Sequence, residues 1–324
     1  MSKNVSKTSL GSSRGREARH PHHIDVRGWR DITLRIKDKV LNDNLGLIAA
    51  GVAFYFLLAL FPLISAFLSI YGLIFDPEEA REHVSHLVGV MPEESRRLVT
   101  RQTDELTTGS DSALGLGALV SIVIALWIAR RGVNAMIIAL NIAYGEDDDR
   151  NLIHQLLLSL ALTLGLILFF ILSLAIVAAA PLAFQFLGLR PAAEAALDLL
   201  RWPILGLLVV MALAVMYRFA PDRRYARWRW LTPGAVLSVI LWLIASGLFS
   251  WYVSNFGNYN ETYGSLGAVV ILLLWFYLTA YAFLLGAELN SEMEHQTGED
   301  TTTGDDQPMG ERGAFVADDL GKKP

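Results

Sequence analysis

The chain has 324 residues, of which 53% are hydrophobic and 18% charged, and its mean hydropathy is +0.40. The net charge of −5 is modest, and the absence of cysteine excludes disulfides, thiolate metal sites and a cysteine nucleophile. Leu45 to Phe75 and Leu156 to Leu189 contain no charged residue. A soluble chain of this length would break its apolar residues into short periodic runs. Blocks of about 18 or more are what a hydrocarbon core of roughly 30 Å demands of a helix. The expected fold is therefore all-α, a polytopic membrane protein.

Residues 1–26 are rich in Ser, Lys, Arg and His and are expected to form a disordered basic tail. No apolar stretch precedes residue 45, so the first span is expected to direct insertion itself. Residues 27–44 place Trp29, Ile32, Leu34, Ile36 and Val40 among basic residues, the pattern of an interfacial helix.

The membrane domain, 45–290, reads as six spans: Leu45–Tyr71, Ala113–Ala129 with an extension, Leu156–Ala180, Trp202–Tyr217, Leu231–Val253 and Ser265–Ala287. If the N-terminus is cytoplasmic, 21 of the 27 Lys and Arg residues fall in inside segments. That bias predicts both termini inside. In span one, Gly51, Tyr55 and Pro62 are candidates for a kink and a close packing surface. In the outer segment 76–108, Asp76 and Pro77 open one helix and Pro92 a second, predicting an external helical hairpin.

ALWIARRGVNAMIIALNIAYG, at 125–145, interrupts an apolar run with Arg130, Arg131, Asn134 and Asn141. At about 100° per residue, Asn134 lies about 40° and Asn141 about 20° from Arg130, one polar stripe. The arginines are expected to mark the cytoplasmic end of span two. The asparagines either touch the inner mouth of the bundle or rest at the surface. Glu288 and Asn290 end span six at the same level, and Glu288 is expected to pair with one of these arginines. These six residues are the candidate polar path. Asn258, Tyr259, Glu261 and Tyr263 are candidates for an outer mouth. The loop 221–230 carries Arg223, Arg224, Arg227 and Arg229 beside aromatic residues, expected as an anchor on anionic headgroups rather than a nucleic-acid site. Residues 291–324 are expected to be a disordered acidic cytoplasmic tail.

Four segments carry a family resemblance. AAGVAFYFLLALFPL at 49–63, RRGVNAMIIALNIAYG at 130–145, RWRWLTPGAVL at 227–237 and above all YGSLGAVVILLLWFYLTAYAFLLGAELN at 263–290 resemble the YihY/BrkB family of bacterial inner-membrane proteins, once known as ribonuclease BN. The resemblance spans about residues 30–295 and implies a six-helix inner-membrane fold. The acidic run Glu146–Asp149 departs from the family pattern, which is more basic there.

His83 and His86 with Glu82 lack a third ligand, HExxH is absent, and there is no serine elbow, phosphate loop or dinucleotide fingerprint. No metal, cofactor or catalytic residue is expected, and a nuclease would need carboxylates or histidines on a soluble face beside a nucleic-acid groove. The expected role is transport or translocation of a lipid or other amphiphile in envelope homeostasis. The alternative is a non-catalytic scaffold for envelope assembly. The expected partners are accordingly membrane lipids, with envelope proteins on the alternative reading, and no nucleic acid.

Overall fold

A computed structural model describes residues 14–74, 111–187, 191–256 and 265–322. The segment expected as an external hairpin, 76–108, lies outside the described residues, as do Asn258, Tyr259, Glu261 and Tyr263. After a 3-10 turn at Pro21–His23, the α-helices are α1 (Val26–Asn42), α2 (Leu45–Ile74), α3 (Asp111–Tyr144), α4 (Leu152–Leu187), α5 (Pro191–Phe219), α6 (Trp228–Phe256), α7 (Ser265–Glu294) and the short α8 (Phe315–Asp318). Among the described residues β-pairing is limited to an isolated antiparallel bridge between Ala226 and Thr302. The all-helical expectation holds. Among the described residues five helices are long and apolar enough to cross a membrane, six if α1 and the start of α2 count as one bent span.

Local chemistry sets the helix ends. Asp25 caps α1 by accepting a hydrogen bond from the Gly28 N–H at 2.8 Å. Asn44 adopts a left-handed conformation at φ 51°, which asparagine tolerates better than most side chains. There the chain turns by 63° between α1 and α2. Helix α3 ends in a Schellman motif: Gly145 has φ +69°, its N–H donates to Ile142 O, and the Glu146 N–H donates to Asn141 O. Asn151 caps α4 by accepting from the His154 N–H at 2.8 Å.

The chain divides into two compact units. One comprises residues 1–50, 136–247 and 278–324, the other 51–135 and 248–277. In the first unit, α4 packs on α5. Helix α4 presents Leu157, Leu164, Leu168, Phe170, Ile171 and Leu172 outward and encloses Ser159 and Thr163. Apolar outside and polar inside is the distribution lipid imposes. A separate core cluster joins Ala18, Ile24, Ile32, Trp230 and Met293, with Trp29, Ile36 and Leu289 packed against it. Each large apolar side chain buried there contributes about 1.5–3 kcal/mol. It ties the N-terminal segment and α1 to α6 and α7.

Helices α6 and α7 meet through their smallest residues. A Cβ on Gly234 would lie 2.1 Å from Gly286 O, and one on Gly286 would lie 1.9 Å from Ser238 Oγ. Gly234 and Ser238 are four residues apart, as are Ala282, Gly286 and Asn290. This is the small-residue spacing that lets membrane helices touch along their backbones. Tyr217 of α5 seals the contact: its hydroxyl donates to Phe283 O at 2.6 Å and lies 2.7 Å from Ser238 Oγ.

The tails are the main correction to the sequence reading. Residues 291–322 are folded, not disordered: Thr297, Thr301 and Thr302 are fully buried. Arg312 donates to the carbonyls of Gln307, Glu299, Ala317 and Gly298. Asp318 accepts from the N–H groups of Gly310, Arg312, Gly313 and Ala314. Residues 14–24 are ordered too, through Arg14 on Asp31 at 2.9 Å and the Gly298 N–H on Arg16 O at 2.7 Å. A polar segment escapes disorder when other parts of the chain satisfy its backbone, which composition does not register.

Candidate functional site

The last turns of α7 concentrate the buried polarity of the first unit. Glu288, Asn290, Ser291, Glu292 and Glu294 are all at most 1% exposed. At about 100° per residue, Glu288 and Glu292 share one face while Asn290 and Glu294 point elsewhere. Each face meets a different element.

The Glu288 face meets α1. Lys39 Nζ lies 3.1 Å from Glu288 Oε2, and Arg35 Nε lies 2.5 Å from Glu292 Oε2. Rising numbers on α1 meet falling numbers on α7, so the two helices run antiparallel with matched i, i+4 charge pairs. Lys39 also donates to Ala143 O at 2.7 Å and to Ser291 Oγ at 3.2 Å, placing a cation on the carbonyl end of α3. Arg35 adds Glu292 O at 3.2 Å and Gln296 Oε1 at 2.8 Å.

Glu294 meets the basic loop between α5 and α6. Arg223 donates both guanidinium arms to it, at 3.2 and 2.7 Å, and Thr301 Oγ1 adds a bond of 2.6 Å. The guanidinium also sits 5.2 Å from the Tyr144 ring. Burial favours the neutral form of Arg223, but the Glu294 carboxylate outweighs it and holds the guanidinium charge more firmly than in water. Asn290 meets α6, accepting from the Gly234 N–H at 2.8 Å and donating to Leu231 O at 3.0 Å. Pro233 lies in this turn and has no N–H of its own, so the asparagine steadies a locally disturbed backbone.

Asn141 sits elsewhere in the same unit. It is 4% exposed, accepts from the Asp222 N–H at 2.7 Å and donates to Asp148 Oδ2 at 3.2 Å. Arg150 completes the knot on Asp148 at 2.8 Å and Ala220 O at 2.9 Å. Burial opposes ionisation of Asp148, yet its Arg150 hydrogen bonds and charge hold it below the ordinary carboxylate range. Of the acidic run, Glu146 accepts from the Phe315 N–H at 2.9 Å, and the Asp149 N–H donates to Asp222 Oδ2 at 3.0 Å. Glu146 and Asp148 are thus engaged within the chain, while Asp147 and Asp149 are exposed.

The structure therefore brings Asn141, Glu288 and Asn290 into one unit, in three separate contacts. The cation that meets Glu288 in this unit is Lys39, which the sequence reading did not single out. Arg35, Glu292 and Glu294 were also passed over. The signal was available: two cations four apart before span one, and two carboxylates four apart at the end of span six.

Arg130, Arg131 and Asn134 belong to the second unit. Arg130 lies 4.6 Å from the Trp127 ring, Arg131 is exposed and Asn134 half-buried. Helix α3 continues without a break past both arginines to Tyr144, and its span window runs from Ile122 to Tyr144. Gly51 is exposed with nothing within 4 Å of an added Cβ, so it is not a packing point. That role falls to Gly132, whose Cβ position lies 3.2 Å from Phe56 and 3.7 Å from Tyr55 O. Pro62 lies within α2.

The four loop arginines are engaged by the chain itself. Arg223 is buried on Glu294, which corrects its reading as a headgroup anchor. Arg227 pairs with Asp306 at 2.6 Å and bonds Thr302 O, Arg224 reaches Asp305 O, and Arg229 lies 3.3 Å from His20 Nε2. The physical reason is that Glu294 at the end of α7, Asp306 and the backbone carbonyls of the folded segment after it, and His20 offer these guanidinium groups partners within the chain.

Comparison with known proteins agrees with this architecture. The family model described as "Virulence factor BrkB" matches residues 36–310. A relative from Bacillus subtilis, named "Putative ribonuclease-like protein YfkH", is 32% identical over 248 residues, covering 75% of this chain and 88% of its own. UPF0761 membrane proteins of Xanthomonas axonopodis and Xanthomonas oryzae are each 43% identical over 83 residues, 26% of this chain and 19% of theirs. No solved structure matches. With a match over most of its length and apolar helices to fit, this chain belongs to the BrkB (YihY) family of multi-pass membrane proteins.

Proposed function

We propose that the protein translocates a lipid or other amphiphile across the bacterial inner membrane, with both termini cytoplasmic, and that it does so without catalysing a chemical reaction. The observation that carries this reading is the Lys39–Glu288 ion pair, with its carboxylate fully buried on a helix that otherwise reads as a membrane span. Ionisable groups within spans are costly, and they mark substrate and ion paths more often than they serve packing. A carboxylate that holds a lysine ammonium can exchange it for the cationic part of an amphiphile. Purified protein in liposomes, with labelled lipid in one leaflet, tests the reading. Acceleration of transbilayer movement supports it, and a rate equal to protein-free liposomes refutes it.

A second reading, a scaffold for envelope assembly, draws on one specific feature. The folded segment after α7 exposes Met309, Phe315 and Leu320 at 41%, 49% and 36%. Crosslinking that recovers a defined protein through this segment would favour it. Nucleic acid fits poorly with either reading, because the loop arginines that would face a phosphate backbone are engaged by the chain's own acidic segment.

A further inference from the structure

Helix α1 has two unlike faces. Gly28, Asp31, Ile32, Arg35 and Lys39 turn inward, where the ion pairs to α7 form. The opposite face carries Val26, Leu34 and Leu41 at 86%, 37% and 66% exposure, with Arg30 and Lys37 exposed among them. At about 100° per residue these five positions fall within an arc of about 80°. The outward face is thus a narrow stripe of large apolar residues and cations, while Asp31, Arg35 and Lys39 are turned inward into ion pairs.

Two observations say what covers this stripe. Helix α1 is joined to α2 through Asp43 and Asn44 alone, and α2 opens on an apolar run with no charge from Leu45 onward. The two helix axes differ by 63°. With the start of α2 along the bilayer normal, α1 lies about 27° from the membrane plane, and its 17 residues span about 25 Å beside the headgroups. Leu47, in the first turns of α2, is 75% exposed.

We propose that the outward face of α1 docks on the anionic headgroup region of the protein's own bilayer, with Val26, Leu34 and Leu41 inserted at the acyl boundary and Arg30 and Lys37 on lipid phosphates. Apolar insertion and cation–phosphate attraction are the two terms that hold an amphipathic helix in the interface. This docking holds α1 against the membrane from one side while Arg35 and Lys39 hold α7 from the other. Lipid composition therefore acts directly on the helix that carries the Lys39–Glu288 pair. The docking stands independently of what the protein transports.

The absence of native cysteine makes the test clean. Full-length single-cysteine variants Leu34→Cys, Leu41→Cys and the exposed Asp305→Cys are labelled with a fluorophore and reconstituted into phosphatidylcholine vesicles with or without 30% phosphatidylglycerol. The expected result is strong quenching of the 34 and 41 probes by quencher-bearing lipid and little quenching at 305. Adding phosphatidylglycerol should deepen quenching at 34 and 41, and Arg30→Glu with Lys37→Glu should abolish that increase. Probes at 34 and 41 that respond to aqueous quencher like the 305 probe overturn the proposal. So does quenching indifferent to phosphatidylglycerol, or self-quenching between copies that shows a second chain covering the face.

Discussion

Lys39 and Glu288, 249 positions apart in the sequence, meet at 3.1 Å where α1 crosses α7. Glu288 is fully buried and the Lys39 side chain is 25% exposed, so the carboxylate depends on the lysine more than the lysine depends on it. Removing one partner of a buried pair leaves an uncompensated charge and costs about 3–5 kcal/mol. Lys39→Met should lower thermal stability in detergent by this order. The double variant Lys39→Met, Glu288→Leu should recover most of the loss, because it removes both charges. Equal stability of the single and double variants would show that the pair is not coupled.

The α6–α7 contact makes a sharper steric prediction. Gly286→Ala places a methyl 1.9 Å from Ser238 Oγ and 2.4 Å from Gly234 O, so the helices must separate. Overpacking of this kind costs about 1–3 kcal/mol or more. Gly165→Ala in α4 meets nothing within 4 Å and should be neutral or slightly stabilising, since alanine favours helix. Thermal unfolding of the two variants side by side checks the contrast.

The folded segment after α7 should loosen at one residue. Arg312 holds four carbonyls with its guanidinium, and Arg312→Met leaves them without that donor. Limited proteolysis should then cut within 298–320 at least several-fold faster, while α1 to α7 stay protected.

The same segment should respond to acid. Burial opposes ionisation of Asp318 and Asp300, but hydrogen bonds, largely from backbone N–H groups, outweigh it and hold both carboxyls below the ordinary range. A carboxylate lowered on folding contributes stability that is complete above its unfolded value, about 3.9, and is lost as pH falls through the folded value. Amide protection factors at Gly310, Arg312 and Gly313 should be flat near neutral pH and fall below about pH 4. Asp318→Asn should lower protection at neutral pH and flatten the acid dependence.

Much of this architecture was written in the apolar blocks. The spans follow from their length and lack of charge, and α1 follows from its periodic apolar residues, because both signals are local. The joint at Asn44 and the Schellman turn at Gly145 likewise depend on neighbouring residues. What the sequence concealed are contacts across long separations. Asn141 showed its face through helical spacing, but its partners, Asp222 and Asp148, come from loops whose path spacing does not reveal. Its contacts make it a buried clamp on two loops. Residues 291–322 misled for a related reason: they are polar enough to stay unfolded alone, and they fold because Arg223, Arg227 and the N-terminal segment meet their charges and carbonyls.

The measurement that bears most directly on the proposed function compares wild type with Glu288→Gln in the same liposomes, matched for folded protein by thermal unfolding. The readout is the rate at which labelled lipid leaves the outer leaflet. Wild type should accelerate this movement, and Glu288→Gln, which keeps the shape of the side chain but not its charge, should lose at least tenfold of that rate. An unchanged rate in the variant, with transport intact, would contradict the central place given to the Lys39–Glu288 pair.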